Sequence, residues 1–313
     1  KAIFQCSDGT INKINEVNIR TLKACSGHTL VDSPLLENCQ YITDAAVQGL
    51  SAIQLLGDQD PSRKALLEFF DSQYSNGELP SAFPSGFYFN FPDYNFHAIV
   101  WLHKHLLYTN DRDLADYCFE NLLKLLDYYH EQLDPEYLIL TDTKGAFIDH
   151  EDIDRRGPLT SLNAFYSRAL YSASWILHVL ENDSAAEVLR QRAIDIAKNI
   201  RKLCWDERQD LFLDSYPPNG EGGIVGLHSN VLAMYGALAS SDQYDRLFDR
   251  LLLPEAPHFT LPTTDLLTPF FGGFLLDHAS SLNRRQWAFD FMEDYWGGML
   301  ENGAETWREY YNP

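Results

Sequence analysis

The stretch "AIQLLGDQDPSRKALLEFF", residues 52–70, reads as the joint of a helical hairpin, and the fold class follows from it. An apolar helix runs into Gly57; Asp60 is then placed to cap a second helix, and Pro61 suits its first position, where a missing N–H costs nothing. Leu66, Phe69, Phe70 and Tyr74 follow on one face at helical spacing. The same arrangement recurs in residues 101–129, 175–205, 231–253 and 274–296. In most of these pairs the first helix is the more apolar and aromatic, and the second carries its charge on one face. Inner helices buried all round, enclosed by an outer amphipathic ring, satisfy both patterns. With a helix at "TINKINEVNIRTLKAC", 10–25, and its partner near 44–56, the count approaches twelve. The expectation is an all-α chain, an (α/α)6 barrel forming a single domain over residues 1–313. The irregular spacing argues against a short-period solenoid, and a stacked helical array is the alternative.

Between the hairpins lie long, aromatic, Pro- and Gly-rich connections at 76–96, 142–161, 215–230 and 253–273. Loops of this length in a folded domain usually carry function. In a toroid they would gather over the mouth of the central funnel. Composition narrows what could enter it. With 24 basic against 45 acidic residues, the net charge of −21 repels phosphates and anionic lipid and suits neutral or cationic partners, uncharged sugars among them. Nucleic acid and membrane are therefore not expected as partners. Five scattered cysteines without a CxxC pair fit a reducing compartment. No apolar run has the length of a membrane span, and the first residues lack the apolar core of a secretory signal, so a cytoplasmic location is expected.

One short segment concentrates acid among apolar neighbours: "DSPLLENCQYITDA", residues 32–45. Asp32, before Ser33-Pro34, suits a turn, and Asp44 suits the cap of a helix starting at Ala45. Glu37 has no such structural task beside Leu35 and Leu36. A carboxyl in apolar surroundings has its pKa raised, as a general acid at neutral pH requires.

This segment resembles the active-site signature of the alpha-L-rhamnosidases of glycoside hydrolase family 78, roughly D-x-P-x-x-E followed by an aromatic and an Asp. Asp32, Pro34, Glu37, Tyr41 and Asp44 fall at those spacings. Further stretches are similar in order along the chain: "FPDYNFHAIVW" with Asp93, "GAFIDHED" with Asp149 and His150, "LHSNVLAMYGAL", "TPFFGGFLL", and "GAETWREYY" with Trp307 and Glu309. The resemblance implies an (α/α)6 barrel and an inverting hydrolysis without cofactor or metal. Glu37 would be the general acid and Glu309 the base activating water, with their carboxyls roughly 6.5 to 9.5 Å apart. Asp32, Asp44 and Asp149 would accept hydrogen bonds from sugar hydroxyls, and Tyr41 and Trp307 would face the ring. Asp93 and His150 would also line the substrate. The family carries flanking β-sandwich domains, so the resemblance implies either one domain of a longer protein or a shortened relative.

The chain departs from the family pattern at positions that bear on which sugar it accepts. Leu36 and Asn38 stand where arginines often flank the acid, Thr43 precedes Asp44, His150 replaces a frequent Trp, and Arg308 separates Trp307 from Glu309. A hydrolase of another neutral or deoxy sugar, and a sugar-binding toroid without activity, are the rival readings. Other constellations carry less. Asp152, Asp154 and Gly157 start like a calcium loop, but Arg156 occupies a ligand position, so a solvated loop is expected. His97, His103 and His105 share no ligand-like face, and core or surface histidines are expected.

Overall fold

The joint at residues 57–59 forms as its sequence predicts. The chain leaves α2 (Ile42–Ser51) through a π-helical turn, Ala52–Leu56, and Gly57 takes the left-handed conformation, φ 69°, that ends it. Helix α3 (Asp60–Asp71) then begins with Pro61 in its first turn. The cap is Gln59, one residue before the Asp60 expected there; Asp58 Oδ1 accepts the Asp60 N–H instead. The coordinates are a computed structural model that describes residues 3–86, 88–141, 144–150, 153–220, 222–252 and 267–310.

Four further hairpins follow. Helix α4 (Pro92–Thr109) turns at Asn110, φ 56°, into α5 (Arg112–Tyr117) and α6 (Phe119–Glu131), with Asp111 Oδ1 accepting the Leu114 N–H as a cap. Helix α7 (Thr160–Val179) leads to α8 (Asp183–Cys204). A two-stranded ribbon, β1 (Trp205–Asp206) antiparallel to β2 (Leu211–Phe212), precedes α9 (Leu227–Tyr235) and α10 (Ser241–Leu252). Helix α11 (Pro269–Ser281) turns into α12 (Arg285–Met292), which continues through a π-helical turn, Glu293–Gly297, to α13 (Gly298–Glu301). Helix α1 (Gly9–Cys25) precedes them all. The connection expected at 253–273 lies for the most part outside the described residues.

The expected contrast within hairpins is present. From Asp93 to Leu102 every residue of α4 is buried, as is every residue of α9 from Leu227 to Met234. Their partners bury one stripe, such as Leu122, Leu125, Leu126 and Tyr129 on α6 or Leu247, Phe248, Leu251 and Leu252 on α10.

The residues group into two units. The first comprises 1–3, 22–147 and 165–199; the second comprises 4–21, 148–164 and 200–313. In the first, α2 packs on α3 and α4 around Phe69, Phe70, Phe96 and Trp101. Each such ring contributes about 1.5–3 kcal/mol by leaving water. Within this core Ser62 Oγ accepts the Trp101 indole N–H at 2.9 Å and lies 2.9 Å from His105 Nδ1. His97 is buried against Phe165, with ring centroids 4.5 Å apart, so His97 and His105 are core residues. In the second unit α9 packs on α10 and α11 around Val231, Phe248 and Phe271. The five cysteines form no disulfide. Among the described residues, no helix is long and apolar enough to cross a membrane.

Candidate active site

The first unit presents Glu37, Asp32, Tyr41, Asp44 and Asp93. Asp32 does what a turn residue does: Oδ1 accepts the Cys39 N–H at 2.7 Å and Oδ2 accepts the Ser33 hydroxyl at 2.8 Å, closing the loop that carries Glu37. The apolar enclosure expected around Glu37 is not there. Leu35 and Leu36 are 91% and 82% exposed, because a loop this short, tied at both ends, turns them outward with Glu37. The partner Glu37 has is polar: Tyr41 donates its hydroxyl to Glu37 Oε2 at 2.5 Å. Burial, then the Glu37 hydrogen bond and charge, push the Tyr41 phenol well above its ordinary pKa.

Backbone pairing holds Tyr41 in place. The Ile42 N–H reaches the Ser81 carbonyl and the Phe83 N–H the Gln40 carbonyl, so the long 76–91 connection lies along the start of α2. That brings up an aromatic cluster the sequence analysis did not single out. Phe89 lies 6.0 Å from Tyr41, Phe91 is 5.2 Å from Phe89, and Phe147 stacks on Phe91 at 5.5 Å. Phe89, Phe91 and Phe147 are half-buried, the degree of exposure that lets a ring face meet a sugar. Asp44 is not a cap; α2 begins two residues earlier, and Asp44 sits in its first turn. There its charge helps to raise the pKa of the Tyr94 phenol, after the larger effect of burial. Asp93, 1% exposed in the first turn of α4, accepts the Phe147 N–H at 2.9 Å and so anchors Phe147.

The second unit presents Asp149, His150, Trp307 and Glu309. Asp149 is 5% exposed, and its carboxylate is taken by protein groups: His228 Nε2 at 2.9 Å from Oδ2, and the Thr268 hydroxyl at 2.9 Å from Oδ1. Asp93 and Asp149 thus face protein donors, where the sequence reading had them line the substrate. The Thr268 hydroxyl also accepts the Phe271 N–H as the cap of α11, and the His228 ring lies on Phe271, centroids 3.8 Å apart. Beside them Asp214, raised in pKa by burial, accepts the Ser229 hydroxyl at 2.6 Å.

His150 turns the other way, toward solvent, and Glu309 lies against it: His150 Nε2 to Glu309 Oε1 is 2.9 Å. Tyr310, which the sequence analysis passed over, places its hydroxyl 2.9 Å from His150 Nδ1. Trp307 fixes this C-terminal segment to α1, through its backbone N–H to Thr21 Oγ1 at 3.0 Å and its indole N–H to Asn18 Oδ1. Its ring is half-buried. Asp154 is held by Arg156 at 2.8 Å, but its side chain is almost wholly buried, where the sequence reading expected a solvated loop; Asp152 lies outside the described residues. Among the described residues, no group of three or more His, Cys, Asp and Glu side chains is gathered for a metal.

No curated protein matches the chain in sequence. Solved structures do match in fold. A rhamnosidase of glycoside hydrolase family 78 from Bacillus sp. GL1 superposes with a TM-score of 0.90 at 21% identity, covering 98% of this chain and 32% of its own. A Klebsiella oxytoca rhamnosidase, solved with rhamnose bound, gives 0.85 at 18% identity, covering 99% and 59%. The alpha-L-rhamnosidase of Dictyoglomus thermophilum gives 0.79 at 18% identity, covering 99% and 35%. The chain therefore spans about a third to three-fifths of the length of these relatives, and its fold class is the all-α, (α/α)6 class expected from the hairpins. The family described as the bacterial alpha-L-rhamnosidase 6 hairpin glycosidase domain matches residues 1–313, and the chain belongs to it.

Proposed function

We propose that this glycosidase domain releases terminal L-rhamnose from a glycoside or polysaccharide fragment by single displacement with inversion, Glu37 acting as general acid and Glu309 as base. The family match over all 313 residues carries the reading. In an inverting reaction one carboxyl protonates the departing glycosidic oxygen while another takes a proton from the attacking water. Glu37 is exposed and oriented by the Tyr41 hydroxyl, beside half-buried aromatic rings. Glu309 is a solvent-facing carboxylate oriented by His150. Asp32 and Asp44 complete the sugar-facing set with Tyr41 and Trp307. Asp93 and Asp149 act one step back, fixing the segment that carries Phe147 and His150. The chain works without a cofactor, as one catalytic domain of a longer protein bearing β-sandwich domains.

The test is hydrolysis of aryl glycosides by the parent chain and Glu37→Gln, with the alpha-L-rhamnoside beside the fucoside, arabinoside and glucoside. Turnover of the rhamnoside is expected, with the variant losing most on poor leaving groups and least on good ones, which need less protonation. Equal loss on every leaving group would remove Glu37 from the acid role. Turnover of another sugar would overturn the rhamnose assignment.

A further inference from the structure

We propose that His150 is the positioning residue of Glu309, holding one carboxylate oxygen through Nε2–H while the Tyr310 hydroxyl donates to Nδ1. The inference rests on the reading of Glu309 as the base and concerns what aims it.

Two hydrogen bonds define the arrangement. The Glu309 carboxylate can only accept, so the Nε2 facing it carries the ring proton, and the Tyr310 hydroxyl, 2.9 Å from Nδ1, is then the group that donates there. In the neutral ring Nδ1 is the acceptor, and the Nε2 proton is donated to Glu309 Oε1 across 2.9 Å. The carboxylate of an exposed glutamate otherwise turns about its side-chain torsions. With Oε1 held, Oε2 is the oxygen that takes the proton from water.

The backbone behind His150 is built for this placement. Ile148, a β-branched residue, stands at φ 66°, in the left-handed region that such residues almost never adopt. Backbone strain of this kind persists where the surroundings over-determine it, and it clusters at functional sites. Here the Ile148 side chain is buried, and the next residue, Asp149, is anchored by His228 and Thr268. Three consecutive residues thus supply a strained bend, a buried anchor and a presented ring.

The experiment compares Glu309→Ala, His150→Ala, His150→Gln and Tyr310→Phe with the parent on an aryl alpha-L-rhamnoside. It also reads the His150 ring nitrogens by 15N NMR in the parent and in Glu309→Gln. For His150→Ala, kcat is expected to fall about tenfold or more, part of a general base's contribution, with KM within about twofold. His150→Gln keeps an N–H donor at similar reach and should recover most of the loss; Tyr310→Phe should fall between. The NMR spectrum should show Nε2 protonated and Nδ1 accepting, with the Nε2–H signal displaced in Glu309→Gln. A Glu309→Ala chain as active as the parent would overturn the base reading and this proposal together. An inactive Glu309→Ala beside a His150→Ala of parental kcat would overturn the positioning role alone, as would an Nε2–H signal indifferent to Glu309→Gln, which is read whether or not the substrate turns over.

Discussion

His228 Nε2 stands 2.9 Å from Asp149 Oδ2, and both side chains are almost wholly buried. The contact joins the first turn of α9 to the loop before His150, and the Thr268 hydroxyl ties the same carboxylate to the cap of α11. Removing one member of such a pair leaves the other desolvated without a partner, which costs more than the pair itself contributes. Asp149→Ala is expected to lower unfolding stability by about 3 kcal/mol. Urea denaturation checks this, and a loss below about 1 kcal/mol would mean that water replaces the carboxylate.

His97 predicts a pH dependence of stability. Burial, then the Lys104 charge, depress its pKa to about 3. A depressed imidazole contributes stability that is fully present above the unfolded value of about 6.5 and is lost as pH falls toward the folded value. Between pH 7.5 and pH 5, His97 should account for about 2 kcal/mol of lost stability. Replacing it with Gln should flatten the pH profile over that interval; an unchanged slope would place the titration elsewhere.

Buried phenols set the alkaline limit. Burial is the leading cause raising Tyr94, Tyr129 and Tyr166 above their ordinary pKa. The unfolded chain releases these protons near pH 10 while the folded chain keeps them, so stability is full below about pH 10 and falls above it. Titration of tyrosine absorbance should show a class of phenols that ionises only with unfolding. Smooth titration of all 17 tyrosines in the folded chain would contradict it.

Gly236, at the end of α9, leaves no room for a side chain. A Cβ there would stand 2.3 Å from the carbonyl oxygen of Ala164 and 2.6 Å from its Cα, and backbone cannot step aside as a flexible side chain can. Gly236→Ala is expected to destabilise by about 3 kcal/mol, at the upper end for overpacking, measured by thermal or urea unfolding. Gly273, where a Cβ meets nothing within 4 Å, is the control; its alanine variant should be neutral or slightly stabilising.

Asn18 offers a test away from the reacting groups. Its side chain accepts the Trp307 indole N–H, and Trp307 lies two residues before Glu309. Asn18→Ala should reduce kcat on the aryl rhamnoside a few-fold, about 1 kcal/mol in the barrier, with little change in KM. A change confined to KM would mean that Trp307 acts through sugar binding alone and does not help to place Glu309.

The helical hairpins were legible because their signals are local. Gly57, Pro61 and the stripe of Leu66, Phe69 and Phe70 lie within one or two turns of the joint they specify, and Asn110 and Asp111 punctuate the next in the same way. Local composition misled at Glu37. Leucines beside a carboxylate suggest burial, but the Asp32 hydrogen bonds close a loop that turns Leu35 and Leu36 into solvent.

The sequence by itself determined the all-α hairpin architecture and the family, since helix period, caps and motif spacing act over a few residues. Only the tertiary structure decided that Asp149 faces His228 and Thr268 while its neighbour faces Glu309 and Tyr310. The His150–Glu309 contact joins positions 159 residues apart. No spacing rule reaches that far; the pairing follows from which way the strained Ile148 backbone turns once its side chain is buried.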